Sequence, residues 1–368
     1  MSNIPRGTSL ARPVIARAQM RAAQREGCDY VSHGCGQRKR PVSLRTRLLY
    51  HSTLYQDHLR HGEIPSFFNR FKGRNDLLDY AAQTDIPVTS TKAKPWSMDA
   101  NLAHCSYEAG ILENPDQTPP DDMWTMTDDP IKAPNEPLDI TLSFEKGIPS
   151  KLVTPWETLT DSVQLFKELN HIGKIHGIGR IDIVENRFIG LKNRGCYDSP
   201  AMTILRLAHL DLEGLVLDAQ VRSLRDQFVT HNWSIYLYNS MYFSPEREFV
   251  ENALLFSQKR VNGEIRLRCY KGAVYVLSRS SATEKLYSDE EASMDSLDNF
   301  SPEDTTGFIG IQSIRLKKYG LQKAEGESLS QAREKEGYKT SMLSESRLKG
   351  FNVVKAYCMV SALRAQTT

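Results

Sequence analysis

The densest chemical constellation in the sequence lies between Gly179 and Tyr197, where Arg180, Asp182, Glu185, Asn186, Arg187, Lys192, Asn193 and Arg194 are threaded with Ile181, Ile183, Val184, Phe188 and Ile189. Apolar residues at that density draw the segment out of water, so its charges must be paired or engaged by a ligand. Two arrangements answer the pattern: an internal ion-pair network, Glu185 with Arg187 or Arg180, or a site for a charged small molecule. A second cluster comprises Trp96, Ser97, Asp99, Asn101, His104, Ser106, Tyr107 and Glu108. Its paired hydroxyls among amide and carboxylate groups suit a zwitterionic metabolite. Helix capping, Ser97 ahead of Asp99 or Ser106 ahead of Glu108, accounts for the same residues locally. His33 and His104 have no partners at triad spacing and read as structural. Between Cys35 and Gly62, Arg38, Lys39, Arg40, Arg45, Arg47 and Arg60 face one acid, Asp57. A phosphate backbone is one partner for such a run, but no nucleic-acid fold accompanies it. It reads as a solvated or disordered loop, and no nucleic-acid partner is expected.

Hairpins and helices must carry these groups. Leu138, Ile140, Leu142 and Phe144 alternate, Lys146–Gly147 punctuates, and Ile148 and Leu152 follow, which is a hairpin pattern. Glu264–Tyr270, Lys271–Gly272 and Ala273–Ser278 repeat it, with Ile265, Leu267 and Cys269 on one face. A helix is expected over Thr8–Gln24, capped by Thr8 or Ser9, with Pro13 in its first turn and Leu10, Val14 and Ala18 on its apolar face. Another starts after Thr160 with the stripe Val163, Phe166 and Leu169 and stops near Gly177. Ser199–Pro200 and Ser244–Pro245 each open one more. Hairpins mixed with helices, without strict strand–helix alternation, give an α+β class from about Phe67 to Gln322. The polar stretch from Lys323 is expected to be disordered.

With 368 residues and 40% hydrophobic content the chain can bury a sizeable core, and a formal charge of +2 gives no global pull toward nucleic acid or membrane. Cys28, Cys35, Cys105, Cys196, Cys269 and Cys358 show no Cys-x-x-Cys spacing, so neither a zinc site nor a disulfide framework is expected. Met1–Arg12 lacks the apolar core of a signal peptide, and no apolar run reaches the roughly 20 residues of a membrane helix. A cytoplasmic protein without a metal centre follows as the expectation.

Longer words in the sequence carry a resemblance. Gly7-Thr-Ser-Leu-Ala-Arg-Pro13, Tyr30-Val-Ser-His-Gly34, Phe71-Lys-Gly-Arg74, Pro95-Trp-Ser-Met-Asp99, Ser106-Tyr-Glu-Ala-Gly-Ile-Leu-Glu-Asn-Pro115, Gly179-Arg-Ile-Asp-Ile-Val-Glu-Asn-Arg-Phe-Ile-Gly190, Ala208-His-Leu-Asp-Leu-Glu213 and Thr306-Gly-Phe-Ile309 resemble, in order, the argininosuccinate synthase family in its fungal-type eukaryotic form. The resemblance implies ATP-dependent joining of citrulline and aspartate, with adenylation of the ureido oxygen, loss of pyrophosphate and displacement of AMP. It implies citrulline contacts at Ser9, Ser97, Ser106, Glu185 and Tyr197 and an ATP-binding remnant at Ser32, His33 and Gly34. It also implies ATP with Mg as the bound nucleotide and assembly into a homotetramer through a helix beginning near Phe308. The implied architecture is a synthetase/multimerisation domain over 89–322, preceded by a remnant of an α/β ATP-pyrophosphatase-type nucleotide-binding domain over 1–34 and 67–88. Residues 35–66 stand between as an aberrant basic segment, and 323–368 form the polar tail.

Departures from the family pattern shape one further expectation. The family's Ser-Gly-Gly-Leu-Asp-Thr-Ser loop, which cradles ATP, lies upstream of where this sequence starts, and Ile4 stands where the family has a citrulline-contacting tyrosine. After Cys35 the family reads Thr-Gly-Lys-Gly-Asn-Asp-Gln and, one residue on, Arg-Phe-Glu-Leu. This chain reads Gly36-Gln-Arg-Lys-Arg-Pro-Val-Ser-Leu-Arg-Thr46. On these grounds an inactive fragment or pseudoenzyme, keeping part of the citrulline site and the assembly surface, stands as the alternative to a working synthase. The genetic code offers a cause for the second departure. Gly36–Pro41 encoded as GGG-CAA-AGG-AAA-CGA-CCA, followed by the G of Val42, reads one base later as Gly-Lys-Gly-Asn-Asp-Gln. Residues 36 to about 64 are therefore expected to be the family segment read out of frame. Genomic reads across codons 35–66 should show that motif one base out of register, with a compensating indel or splice site near codon 65. A stop codon in the shifted frame, or no such motif, rules the idea out.

Overall fold

The computed structural model describes residues 7–28, 31–33, 58–60, 65–88, 96–186, 190–289, 292 and 302–326. Its contacts divide the chain into two units, residues 1–288 and 289–368. The first begins with helix α1, Gly7–Arg25, which contains Pro13. The helix starts ahead of Thr8 and Ser9, so neither is its cap. Pro13 lies beyond the first turn, where it cannot donate to the carbonyl of Ser9. Its buried stripe is Ser9, Pro13, Ala16, Met20 and Ala23, not the expected Leu10, Val14 and Ala18; Val14 is 68% exposed. Packing decides the face: Ala16, Met20 and Ala23 close with Val31 against Tyr242 and Phe243.

Strand β1, Val31–His33, pairs in parallel with β2, His58–Arg60. The expectation of a disordered loop thus fails for residues 58–60, which lie in a sheet; residues 34–57 lie outside the described residues. Helices α2, Pro65–Arg70, and α3, Arg74–Gln83, follow. Asp76 starts α3 by accepting from the backbone N–H of Lys72 at 2.7 Å and of Gly73 at 3.1 Å.

Two antiparallel sheets and a set of helices make up the rest of this unit. Strands β3, Ser97–Ala100, and β4, Cys105–Glu108, form a hairpin. Strands β5, Leu138–Glu145, β6, Ile148–Val153, and β7, Thr158–Leu159, lead into helix α4, Ser162–Ile175. Next come β8, Arg180–Asn186, and β9, Lys192–Asp198, and then helix α5, Pro200–Val216. Helix α6, Ala219–Leu224, runs through a π-helical turn, Arg225–Thr230, into α7, His231–Tyr238; α8, Pro245–Gln258, follows. Strands β10, Gly263–Tyr270, and β11, Ala273–Ser280, complete the unit. Sheet orders are β11-β10-β5-β6-β7 and β3-β4-β9-β8.

Both expected hairpins form. Lys146 and Gly147 have φ of 50° and 76°, and Lys271 and Gly272 have φ of 40° and 81°. Positive φ at both central residues is the turn that matches strand twist, and glycine makes its second position cheap. The five-stranded sheet buries Ile140, Leu142, Phe144, Ile265, Leu267 and Cys269 against α4 and α5. In α4 the cap is Asp161, which accepts from the N–H groups of Val163 and Gln164, and Thr160 does not serve. Phe166 and Leu169 of the expected stripe pack on the core together with Leu165 and Ile172, while Val163 is exposed. Ser244 caps α8 as expected, accepting from the Arg247 N–H. Ser199 precedes α5, but its hydroxyl donates instead to the Ala103 carbonyl at 3.0 Å and ties the helix to the β3–β4 loop.

In the second unit, helix α9 spans Pro302–Gly326. It extends past Lys323, so the expected polar tail begins within a helix; residues 327–368 lie outside the described residues. Among the described residues no helix is long and apolar enough to cross a membrane.

Candidate functional site

The four-stranded sheet has two unlike faces, and they answer the two readings of the charged segment. Cross-strand partners share a face. Register pairs Ser97 with Glu108, Asp99 with Ser106, and Ser106 with Tyr197. On β8 and β9 it pairs Tyr197 with Ile181, Gly195 with Ile183, and Asn193 with Glu185. Ser97, Asp99, Ser106, Glu108, Tyr197 and Glu185 therefore all stand on one face. The helix-cap explanation of Ser97 and Ser106 fails, since both belong to strands.

The opposite face is structural. Cys105, Tyr107 and Cys196 pack there with Trp96, Leu112 and Met123. Asp198, fully buried, accepts from the Tyr107 hydroxyl at 3.0 Å, the Thr127 hydroxyl at 2.8 Å and the Met126 N–H at 3.0 Å. Burial raises its carboxyl above the usual range even though these hydrogen bonds oppose the shift. Arg194 forks onto Asp182 at 2.8 and 2.6 Å and also donates to the carbonyls of Asn114 and Gln117. That hydrogen bond holds the Asp182 carboxyl below its ordinary value. Arg180 donates to the hydroxyl and carbonyl of Thr127 and lies over the Trp124 ring. An ion pair does exist in the segment, then, but it is Asp182–Arg194. Glu185 does not pair with Arg180, and the Arg187 side chain lies outside the described residues.

Glu185 is engaged instead by the Tyr197 hydroxyl, which donates to its carboxylate at 2.7 Å. Tyr197 travels along its own strand to do so, crossing the place where a side chain of residue 195 would stand. A Cβ built on Gly195 would lie 2.5 Å from the Tyr197 hydroxyl oxygen and 2.7 Å from its ring. A glycine inside a strand often marks such a close approach, and this is the signal by which Gly195 was legible and missed. Burial, then the charge of Glu185 and its hydrogen bond, with smaller effects from Glu108 and Tyr238, push the Tyr197 phenol well up; it remains a neutral donor. Tyr238, on α7, donates to the Asn186 carbonyl at 3.4 Å and brings that helix to the edge of the site. The face offers carboxylates for a cationic group beside hydroxyls for a neutral or anionic one, as a zwitterionic ligand requires.

Ser9 is buried on α1, an element separate from this sheet. Ser32 and His33 lie on β1, and Gly34 falls outside the described residues. The structure thus brings together Ser97, Ser106, Glu185 and Tyr197 and leaves Ser9, Ser32 and His33 on other elements.

A family model described as "Arginosuccinate synthase C-terminal domain" matches residues 96–319, which include the whole of this sheet, and one described as "Arginosuccinate synthase N-terminal HUP domain" matches residues 1–87. The chain belongs to the argininosuccinate synthase family. Among its relatives, the argininosuccinate synthase of Saccharomyces cerevisiae is 53% identical over 333 residues, covering 88% of this chain and 79% of the relative. That of Schizosaccharomyces pombe is 52% identical over 312 residues, covering 84% and 76%. That of Homo sapiens is 48% identical over 316 residues, covering 85% and 76%. The HUP match runs through residues 35–66 from the first residue, so the expectation that only a truncated remnant of that domain is present is not confirmed. A mixed helix-and-sheet architecture, with a HUP portion followed by the family's C-terminal domain, replaces it.

Proposed function

We propose that the protein acts in the ATP-dependent ligation of citrulline to aspartate, yielding argininosuccinate, AMP and pyrophosphate, and that the β3-β4-β9-β8 sheet holds citrulline. The observation that carries the site is the Tyr197–Glu185 hydrogen bond of 2.7 Å on the same face as Ser97 and Ser106. Glu185 supplies negative charge for the α-ammonium group, while the neutral Tyr197 phenol and the serine hydroxyls suit the carboxylate and ureido ends. Ser9 is the contact contributed from α1. ATP, as its Mg complex, is placed at the C-terminal end of β1, where Gly34 follows Ser32 and His33, because ligands of parallel sheets sit outside the carboxyl ends of their strands. The boundary between residues 67–88 and a synthetase/multimerisation domain over 89–322 is supported at its start by the interval between the matched regions, which end at residue 87 and resume at residue 96. Copies of the chain assemble through α9, which carries Phe308, Ile311, Ile314 and Leu321 exposed, and the protein works in the cytoplasm. The alternative of an inactive fragment or pseudoenzyme is not favoured by likeness of this extent and identity.

Calorimetric titration of the full chain with L-citrulline tests the site, with L-leucine as the control. Glu185→Gln keeps the shape and removes the charge; a charge-assisted hydrogen bond is worth about 1.5–3 kcal/mol, so Kd should rise about tenfold or more. Equal affinity in wild type and variant, or no preference for citrulline over leucine, refutes the assignment. Pyrophosphate release from ATP that requires both citrulline and aspartate reads the complete reaction.

A further inference from the structure

We infer that His104 is a positioning residue, whose imidazole sets the Tyr197 ring so that its hydroxyl meets Glu185. The consequence for citrulline rests on the function proposed above, whereas the geometry does not. The two rings stack with centroids 6.1 Å apart and planes inclined by 16°, within the range of favourable offset stacking. His104 is 1% exposed, so its ring is held by packing on every side. Its own orientation is set locally by the loop between β3 and β4. Asn101 accepts from the N–H groups of Ala103 at 2.9 Å and His104 at 3.2 Å, and its amide nitrogen meets His104 Nδ1 at 3.1 Å. The amide can only donate there, so Nδ1 accepts and the proton sits on Nε2. Burial lowers the basicity of the imidazole, which keeps it neutral and compatible with a phenol beside it.

A tyrosine laid along a strand over a glycine has nothing at position 195 to stop it from swinging away. The stacked imidazole supplies that stop. His104 thus has a role that its lone occurrence in sequence could not reveal: it acts through Tyr197, on which its ring stacks.

Exchanges at position 104 separate the aromatic plane from the volume it fills. His104→Phe keeps a flat ring; His104→Leu fills similar space without one. Protein labelled with carbon-13 at tyrosine Cζ reads the Tyr197 hydroxyl directly, assigned through Tyr197→Phe, and citrulline titration reads the site. His104→Phe should leave the Tyr197 resonance and Kd within about twofold of wild type, and His104→Leu should shift the resonance and raise Kd about tenfold. A merely structural His104 would lower the melting temperature in both variants without separating them in Kd, and that result overturns the inference. So does an unmoved resonance in His104→Leu. If His104→Leu does not fold, Asn101→Ala releases the imidazole from the loop and should produce the same shift and the same rise in Kd; no change there also overturns it. Wild-type protein without citrulline affinity refutes the proposed function, while the resonance still decides the positioning role.

Discussion

Replacing Glu213 by alanine is expected to destabilise the unit of residues 1–288 by about 3–5 kcal/mol, because it strands a buried guanidinium. Glu213, on the last turns of α5, is fully buried, and Arg225, on the π-helical turn, is 5% exposed. Both carboxylate oxygens accept from Arg225, the Oε2 contact being 2.8 Å, and Gln258 of α8 donates to Oε1 at 2.9 Å. Three helical elements are thus joined through one side chain. Burial opposes the charge on Arg225, but its hydrogen bonds to Glu213 and Asp226 outweigh it and hold the guanidinium above its ordinary value. Asp226 remains after the exchange, yet it is 49% exposed and neutralises the cation less well. The cost should appear as a fall in melting temperature on the order of 6–10 °C. Exchanging both partners for apolar residues, Glu213→Met with Arg225→Leu, should recover most of it, since the charge and its counter-charge leave together. A single variant within about 1 kcal/mol of wild type would show that the pair contributes little.

What the sequence reveals follows from how local each decision is. The Lys146–Gly147 and Lys271–Gly272 turns are readable because turn chemistry and period-two alternation lie within a few residues. The buried face of α1 is not readable, because its stripe includes Ser9 and Pro13, which no apolar count selects, and because Tyr242 and Phe243 choose it from far along the chain. The cap of α4 moves by one residue since Thr160 and Asp161 are both good caps and only the backbone direction chooses between them.

The site divides in the same way. That Gly179–Tyr197 carries both a candidate site and an ion pair is legible in its composition, but which residue faces which way depends on strand register. A slip of one residue would exchange Glu185 and Tyr197 for Val184 and Cys196. Asp182–Arg194 and Glu185–Tyr197 each span twelve positions in sequence, yet they lie on opposite faces. Ser97 and Ser106 resemble helix caps in isolation and become neighbours of one site only once Asn101 turns the chain between them.

Gly195→Ala is the exchange expected to remove citrulline binding with the least chemistry, by more than about a hundredfold, equivalent to about 2.8 kcal/mol. A methyl group there cannot coexist with the observed ring, because its carbon would lie 2.5 Å from the Tyr197 oxygen and 2.8 Å from Cζ. The ring is stiff, 7% exposed and stacked on His104, so it cannot yield by bending and must leave as a body, taking its hydroxyl from Glu185. Two effects on stability oppose each other. Alanine restricts the unfolded chain and favours the fold by about 0.4–1 kcal/mol, while the lost hydrogen bond to a carboxylate costs about 1.5–3 kcal/mol. The second is larger, but the difference is small enough for the protein to remain folded at 25 °C. Binding, in contrast, loses the Tyr197–Glu185 pair on which the proposed site rests and meets a displaced ring in the space a ligand would occupy. Calorimetry of Gly195→Ala with citrulline, beside a thermal melt, separates the two: affinity should vanish while the melting temperature falls only slightly. Retained affinity would mean that Tyr197 and Glu185 need not meet for citrulline to bind, and the sheet face would then not be its site.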